Sequence, residues 1–325
     1  MSTNTKEVRR FALFISALTA ISLVLTGCSA SSSDVLNVQP KTSQFVLNSF
    51  QDGQFLDPFE DGKPDMGLTL EAIASLHVLG ASKSDLQKPI EWVLSNTVLL
   101  TSTGLKANYV YTSYVAGFSE DASVVAQLSH VKDAIAEDGT VKDTNNFAYS
   151  YVILALVAAQ QNELANKVAV KLIDNAELSG GYRYTKGDTQ SLESADVTSF
   201  ALLSINATLG LGSEEDEAAK EFSISKSKEW LINNLVTEDH FEAYENIDLG
   251  GTSFGFMALT TAGEDASKLQ TWLTSQIASA DGGIPSPYSG EASDVFSTVQ
   301  ALLPLSGVTL DQVFNIINSQ RASTN

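Results

Sequence analysis

The feature that most constrains this chain is an alternation between segments that are apolar around most of a helix circumference and segments that are apolar on one side only. Residues 67–80, GLTLEAIASLHVLG, set Leu68, Leu70, Ile73, Leu76 and Leu79 among small residues. A helix of that kind has no polar face to offer water, so it must be surrounded by protein. Asp65 before it reads as an N-cap and Gly80 after it as a stop. Further apolar members fall at 107–118, 145–160, 194–209, 250–262 and 292–306, and amphipathic partners at 84–97, 121–136, 162–177, 214–236, 265–279 and 308–320. The apolar members start about 40 to 55 residues apart, the scale of repeated two-helix units. Strand-like runs are few, and tight turns such as Glu137-Asp-Gly-Thr separate the pairs. The expected fold is all-α: six helical hairpins closed into an (α/α)6 ring, apolar helices inside and amphipathic ones outside. Closure covers the terminal faces that an open stack would expose.

The first residues describe an address. Lys6, Arg9 and Arg10 precede an apolar, small-residue run from Phe11 to Leu25, which ends in Leu25-Thr26-Gly27-Cys28. The run is shorter than the ~18 to 20 apolar residues of a membrane span and has the layout of a secretory signal. The tetrapeptide resembles the bacterial lipobox, which implies cleavage before Cys28 and lipid on its sulfur. The expected division is a lipoprotein signal peptide (1–27), a Ser-rich flexible tether (28–44) and the ring domain (45–325). The expected location is extracytoplasmic, anchored to the bacterial cell membrane by lipid.

Cys28 is the only cysteine, so no disulfide holds the domain. The part after the expected signal peptide, nearly 300 of the 325 residues, buries roughly 75% of its unfolded surface and needs no such staple. The formal net charge of -20 argues against nucleic acid as a partner. The three histidines are scattered, with no spacing suited to a metal.

The repeat carries a signature. Trp272-Leu273, Asp281-Gly282-Gly283 and Ser293-Asp294-Val295-Phe296-Ser297 form one copy, and Gly180-Gly181 followed by Ser194-Ala195-Asp196-Val197-Thr198 forms a second. This pattern resembles the prenyltransferase and squalene-cyclase repeat superfamily of α/α toroids over roughly residues 45 to 320. Pro64-Asp65-Met66-Gly67-Leu68-Thr69 resembles the opening of the first inner helix in its exported bacterial lipoproteins. The resemblance implies the toroid and leaves activity open, because one scaffold carries many functions. The acidic cluster of the cyclases is absent, since Asp196 stands alone, and the zinc-binding Cys of the prenyltransferases has no counterpart after Cys28. Cobalamin binding by some members outside cells makes a cobalamin-like cofactor or ligand an expectation by analogy alone.

Candidate ligand-binding residues follow from this layout. Asp65, Asp196 and Asp294 start inner helices, where they cap backbone N–H groups with support from Thr69, Thr198 and Ser297, and where they can ring the mouth of a central cavity. Tyr182, Tyr184 and Glu193 belong to the loop before Asp196, and Tyr288 to the matching loop before Asp294. Tyr109 and Tyr149, with Tyr111, Tyr114, Phe147 and Tyr151, lie on two inner helices and are expected to line the cavity. No catalytic signature accompanies them. The leading expectation is therefore a non-catalytic, lipid-anchored protein that binds a small molecule or an envelope protein at the inner-helix N-terminal mouth. The alternative is an enzyme on the same ring, either terpenoid-cyclase-like or an envelope polysaccharide hydrolase or lyase. The latter would use Glu193, Asp196 and Asp294 as acid and base at a separation of ~5 to 9.5 Å.

Overall fold

A computed structural model describes residues 40–57, 62–142, 144–188, 191–278, 280–286, 290 and 292–324. Residues 1–27, Cys28, most of the expected tether and Tyr288 lie outside the described residues. The inner ring is α2 (Met66–Val78), α4 (Thr103–Ala116), α6 (Asn146–Ala158), α8 (Ala195–Asn206), α10 (Leu249–Thr261) and α12 (Val295–Leu305). Each packs on the next, and α12 packs back on α2, which closes the toroid. These helices are buried on nearly every face, as their composition requires. The outer layer includes α3 (Lys83–Ser95), α5 (Ala122–Asp133), α7 (Asn162–Ile173), α9 (Glu214–Asn233) and α11 (Ser267–Ser275). Each buries one stripe, as α7 does with Ala165, Val168, Ala169 and Leu172.

The sixth outer helix differs from expectation. Residues 308–320 do not pair outside α12. That position belongs to α1 (Pro40–Ser49), which packs on α12 with Thr42 and Val46 fully buried. Among the described residues the ring therefore takes in Pro40–Ser49, the first part of which falls inside the expected tether. The C-terminal helix, α13 (Leu310–Thr324), instead contacts α4 and α10 at the end of the ring where the inner helices stop.

Turn geometry identifies α1 as the true sixth outer helix. Gly180 sits at φ +96, and a Cβ there would lie 2.4 Å from the Lys226 carbonyl oxygen of α9. Gly282, at φ +88, meets Lys41 of α1 in the same way, with a Cβ 2.7 Å from that side chain. Both positions need glycine twice over, for the left-handed backbone and for the close approach to an outer helix. The second glycine of each pair makes room for side chains: Gly181 faces Glu193 and Trp230, and Gly283 faces Ser293 and Phe45.

A threonine ties each such turn to its inner helix. Thr69 Oγ1 donates to the Asp65 carbonyl (2.6 Å) and accepts from the Phe55 N–H (3.0 Å). Thr252 repeats this with Asp248 (2.7 Å) and Phe241 (3.0 Å), and Thr298 with Asp294 (2.6 Å) and Ile284 (2.9 Å). Thr298, not the expected Ser297, is thus the supporting hydroxyl at α12. Thr198 accepts from the Tyr182 N–H (2.9 Å), and at α6 Tyr149 Oη takes the Val141 N–H (2.9 Å) in place of a threonine. Three of these turns form ribbons, β1 (Phe55–Leu56) with β2 (Pro64–Asp65), β3 (Phe241–Ala243) with β4 (Asn246–Asp248), and β5 (Ile284–Pro285) with β6 (Ser293–Asp294).

Candidate functional site

At the N-terminal mouth the carboxylates are spent on the fold. Asp65 accepts the Leu68 N–H (2.9 Å), Asp248 the Gly251 N–H (2.7 Å) and Asp294 the Ser297 N–H (2.8 Å), so each caps its own helix. Asp196 is not a cap. It is the second residue of α8, behind Ser194 at the N-cap position, and its carboxylate takes the Val197 N–H (2.7 Å) and the Ser194 hydroxyl. Burial raises the Asp65 carboxyl above its ordinary range, helped by the Asp57 charge. Burial also pushes Asp248 up to about 6, and the Asp196 charge adds to that. Glu193 accepts from Ser179 Oγ (2.7 Å) beside the Gly181 turn. Glu193, Asp196 and Asp294 are each engaged in their own helix start or turn, which leaves the acid and base pair of the polysaccharide reading without support from geometry.

The tyrosines divide differently from expectation. Tyr109 is fully buried against the outer layer, its hydroxyl 2.6 Å from Ser123 Oγ on α5. Tyr149 points to the Val141 turn, as described above, so neither residue lines the ring centre. Tyr182 is also fully buried, its hydroxyl 3.2 Å from Ser223 on α9, and is wall, not rim. Tyr184 is 54% exposed and remains a rim residue.

The ring axis is occupied by the other set of aromatics. Phe147 and Tyr151 of α6, Phe200 of α8 and Phe254 of α10 pack with centroid separations of 4.7 Å (Phe147 to Phe200), 4.8 Å (Tyr151 to Phe200), 5.3 Å (Phe200 to Phe254) and 5.7 Å (Phe147 to Phe254). Edge-to-face and offset contacts of this kind are favourable beyond their buried area. Between this cluster and α13 lies a cavity of about 80 Å³, room for roughly three waters at about 30 Å³ each and about half of the ~150 Å³ that takes up a benzene. All six inner helices contribute to its wall, including Glu71, Asn108, Tyr111, Tyr151, Phe200 and Gln300, and α13 closes it with Leu310 and Val313.

Glu71 dominates the chemistry of this space. Tyr151 Oη donates to its Oε1 at 2.6 Å. Burial pushes its carboxyl up to about 7, partly opposed by that hydrogen bond and reinforced by the Asp65 charge. Burial likewise raises the Tyr111 and Tyr151 phenols, the latter also by the Glu71 charge, so both stay neutral donors. The lid is held by side chains as well as by packing. Gln320 Nε2 donates to the Val115 carbonyl (3.0 Å) and lies 2.9 Å from His77 Nε2, while the Arg321 guanidinium stands 5.3 Å over the Tyr114 ring. Phe314 meets Tyr111 with centroids 6.4 Å apart.

Two residues of consequence, Glu71 and Asp248, lie outside the candidate set that the sequence nominates. Glu71 is the one charged residue in an otherwise apolar inner-helix run, which was the available signal. Asp248 opens Asp248-Leu-Gly-Gly-Thr252, the same Asp and Thr spacing as Asp65 and Thr69.

The ring has relatives in shape among solved structures. The type II terpene cyclase MstE from Scytonema aligns with 85% of this chain and 98% of its own at a TM-score of 0.64 and 13% identity. Haptocorrin in complex with Cbi aligns over 84% of this chain and 67% of that one, at 0.57 and 13%. A glycosyl hydrolase family 88 protein from Bacteroides vulgatus aligns over 85% and 98%, at 0.58 and 14%. No protein-family model matches the sequence, and no curated protein matches it. The shared element is the fold: this protein is an α/α toroid of six hairpins. At these identities the scaffold is common while the chemistry of its centre differs from protein to protein.

Proposed function

We propose that this is an exported, lipid-anchored protein that binds a small, mostly apolar molecule inside its ring and does no chemistry on it. The observation that carries the reading is the walled cavity under α13, apolar and aromatic except for a few convergent polar groups, as ligand sites commonly are. The site is therefore read at the end of the ring where the inner helices stop, and not at the N-terminal mouth. A corrin macrocycle is many times larger than this space, so the residues present do not fit a cobalamin. Filling the cavity from α2 tests the reading. In a thermal-shift screen of small apolar compounds, hits that stabilise the protein are expected to lose their effect in Ala74→Phe, because Ala74 lines the cavity. Unchanged shifts in that variant would place the ligand elsewhere.

Anchoring rests on the Leu25-Thr-Gly-Cys28 pattern. Metabolic labelling with a radioactive fatty acid is expected to mark the protein and to vanish in Cys28→Ala; persistent label would refute lipidation at that sulfur.

One observation favours a second reading, a proton-initiated cyclisation. Glu71 is an acid that holds its proton near neutrality in an aromatic-walled cavity, and MstE, a type II terpene cyclase by name, shares the ring. The small volume weighs against it. Conversion of a short acyclic isoprenoid alcohol to a cyclic isomer, seen by mass spectrometry and lost in Glu71→Gln, would replace the binding reading with this one.

A further inference from the structure

The lining of the cavity carries one unbalanced charge. The carboxylate of Glu71 offers about four acceptor sites, and among the described residues Tyr151 alone donates to it. No Lys, Arg or His lines the cavity among the described residues. The groups facing Glu71 can be named by element: Tyr111 from α4, Tyr151 from α6, and Asp65 at the start of its own helix. The faces of α8, α10, α12 and α13 bring Phe200, Phe254, Val299, Gln300, Leu310 and Val313, none of them ionisable. A lone buried carboxyl in such a place has two ways to lose its charge: it keeps a proton, or it meets a cation that the protein itself does not supply.

We propose that the ligand is a small organic monocation, a primary or secondary amine on a short apolar body, whose ammonium binds the Glu71 carboxylate among the Tyr111, Tyr151 and Phe200 rings. This rests on the cavity-binding reading and names its ligand class. Aromatic rings attract a cation and grow more effective when water is excluded. The remaining wall is too apolar to satisfy a sugar, whose hydroxyls would be left without partners. An anion would face Glu71 itself, inside a protein whose net charge of -20 already repels it. The same field enriches cations near the ring. Binding balances in protons: a protonated Glu71 releases its proton to solvent as the ammonium arrives, and the ammonium keeps all of its own.

The test is calorimetric titration of the protein with ethylamine and with its uncharged isostere ethanol, both small enough for the cavity, at pH 8 and pH 5. At pH 8 ethylamine is expected to bind about tenfold or more tighter than ethanol. Because burial pushes the Glu71 carboxyl up to about 7, ethylamine affinity should fall by about a hundredfold at pH 5 while ethanol changes little. Glu71→Gln, which keeps the shape and the Tyr151 contact, should bring the two ligands to similar affinity. Equal or tighter binding of ethanol by the wild-type protein would overturn the amine assignment and leave the cavity reading intact. Ethylamine preference that survives in Glu71→Gln would overturn it too. Binding of neither compound would overturn the cavity reading and this assignment together.

Discussion

Val46→Asp is expected to remove at least about 4 kcal/mol of stability, enough to leave little of a cooperative unfolding transition. Val46 is fully buried on α1, in the same cluster as Phe55, Leu76 and Leu302. The substitution gives up the burial of a valine side chain, worth about 1.5 to 3 kcal/mol. It also desolvates a carboxylate in an apolar cluster, which costs several kcal/mol more or forces the group to protonate. Net stabilities of domains are about 5 to 15 kcal/mol, so the loss is a large share of the whole. The same change on a solvated segment before the ring would alter stability by no more than about 0.5 kcal/mol. Urea unfolding followed by circular dichroism separates the two cases, and a loss below about 1 kcal/mol would mean that α1 does not complete the ring.

That contrast marks where the sequence was legible. Inner helices announced themselves because a run such as Asn146–Ala158 has no polar side to leave in water. The glycine pairs and helix-start acids repeated with them, so ring topology followed. Helix α1 did not announce itself, since PKTSQFVLNS has few apolar residues and follows a Ser-rich stretch. Periodicity in α13, with Leu310, Val313 and Ile317 buried, showed that one face would be covered. It could not show by what, because an outer helix and a lid need the same stripe.

The cavity was half legible for a geometric reason. Residues two apart on a helix point about 200° from one another. If Tyr111 and Tyr151 face the axis, Tyr109 and Tyr149 must face the outer layer, as they do. An inner helix is apolar all round, however, so its sequence offers no contrast from which to choose the axial set. The lone charge at Glu71 breaks that symmetry and identifies the axial side of α2. Asp196, which stood out in its loop, proves to be a local helix-start group whose main further effect is on its neighbour Asp248.

Lys220→Met is expected to cost about 3 kcal/mol, measured as a lower midpoint at unchanged slope in denaturant unfolding. Lys220 is fully buried on α9. Its ammonium donates to Asn166 Oδ1 of α7 (2.9 Å), to the Thr208 carbonyl after α8 (2.7 Å) and to Glu217 Oε1 (2.6 Å), which uses all three protons. Glu217 in turn takes the N–H groups of Gly210 and Gly212, both at 2.8 Å, so the loop between α8 and α9 hangs on this one cation. Methionine matches the stem in length but leaves a buried carbonyl and an amide oxygen without donors. It also strips the counter-charge from Glu217. Breaking a buried pair from one side costs about 3 to 5 kcal/mol, and the low end applies because the Glu217 side chain is 23% exposed and can draw on water. The mechanism has its own check. If part of the loss is an uncompensated carboxylate, adding Glu217→Gln to Lys220→Met should recover about 1 kcal/mol, whereas Glu217→Gln alone should destabilise. Additive losses in the double variant would show that Lys220 acts through packing and its other two hydrogen bonds, with no coupling to Glu217.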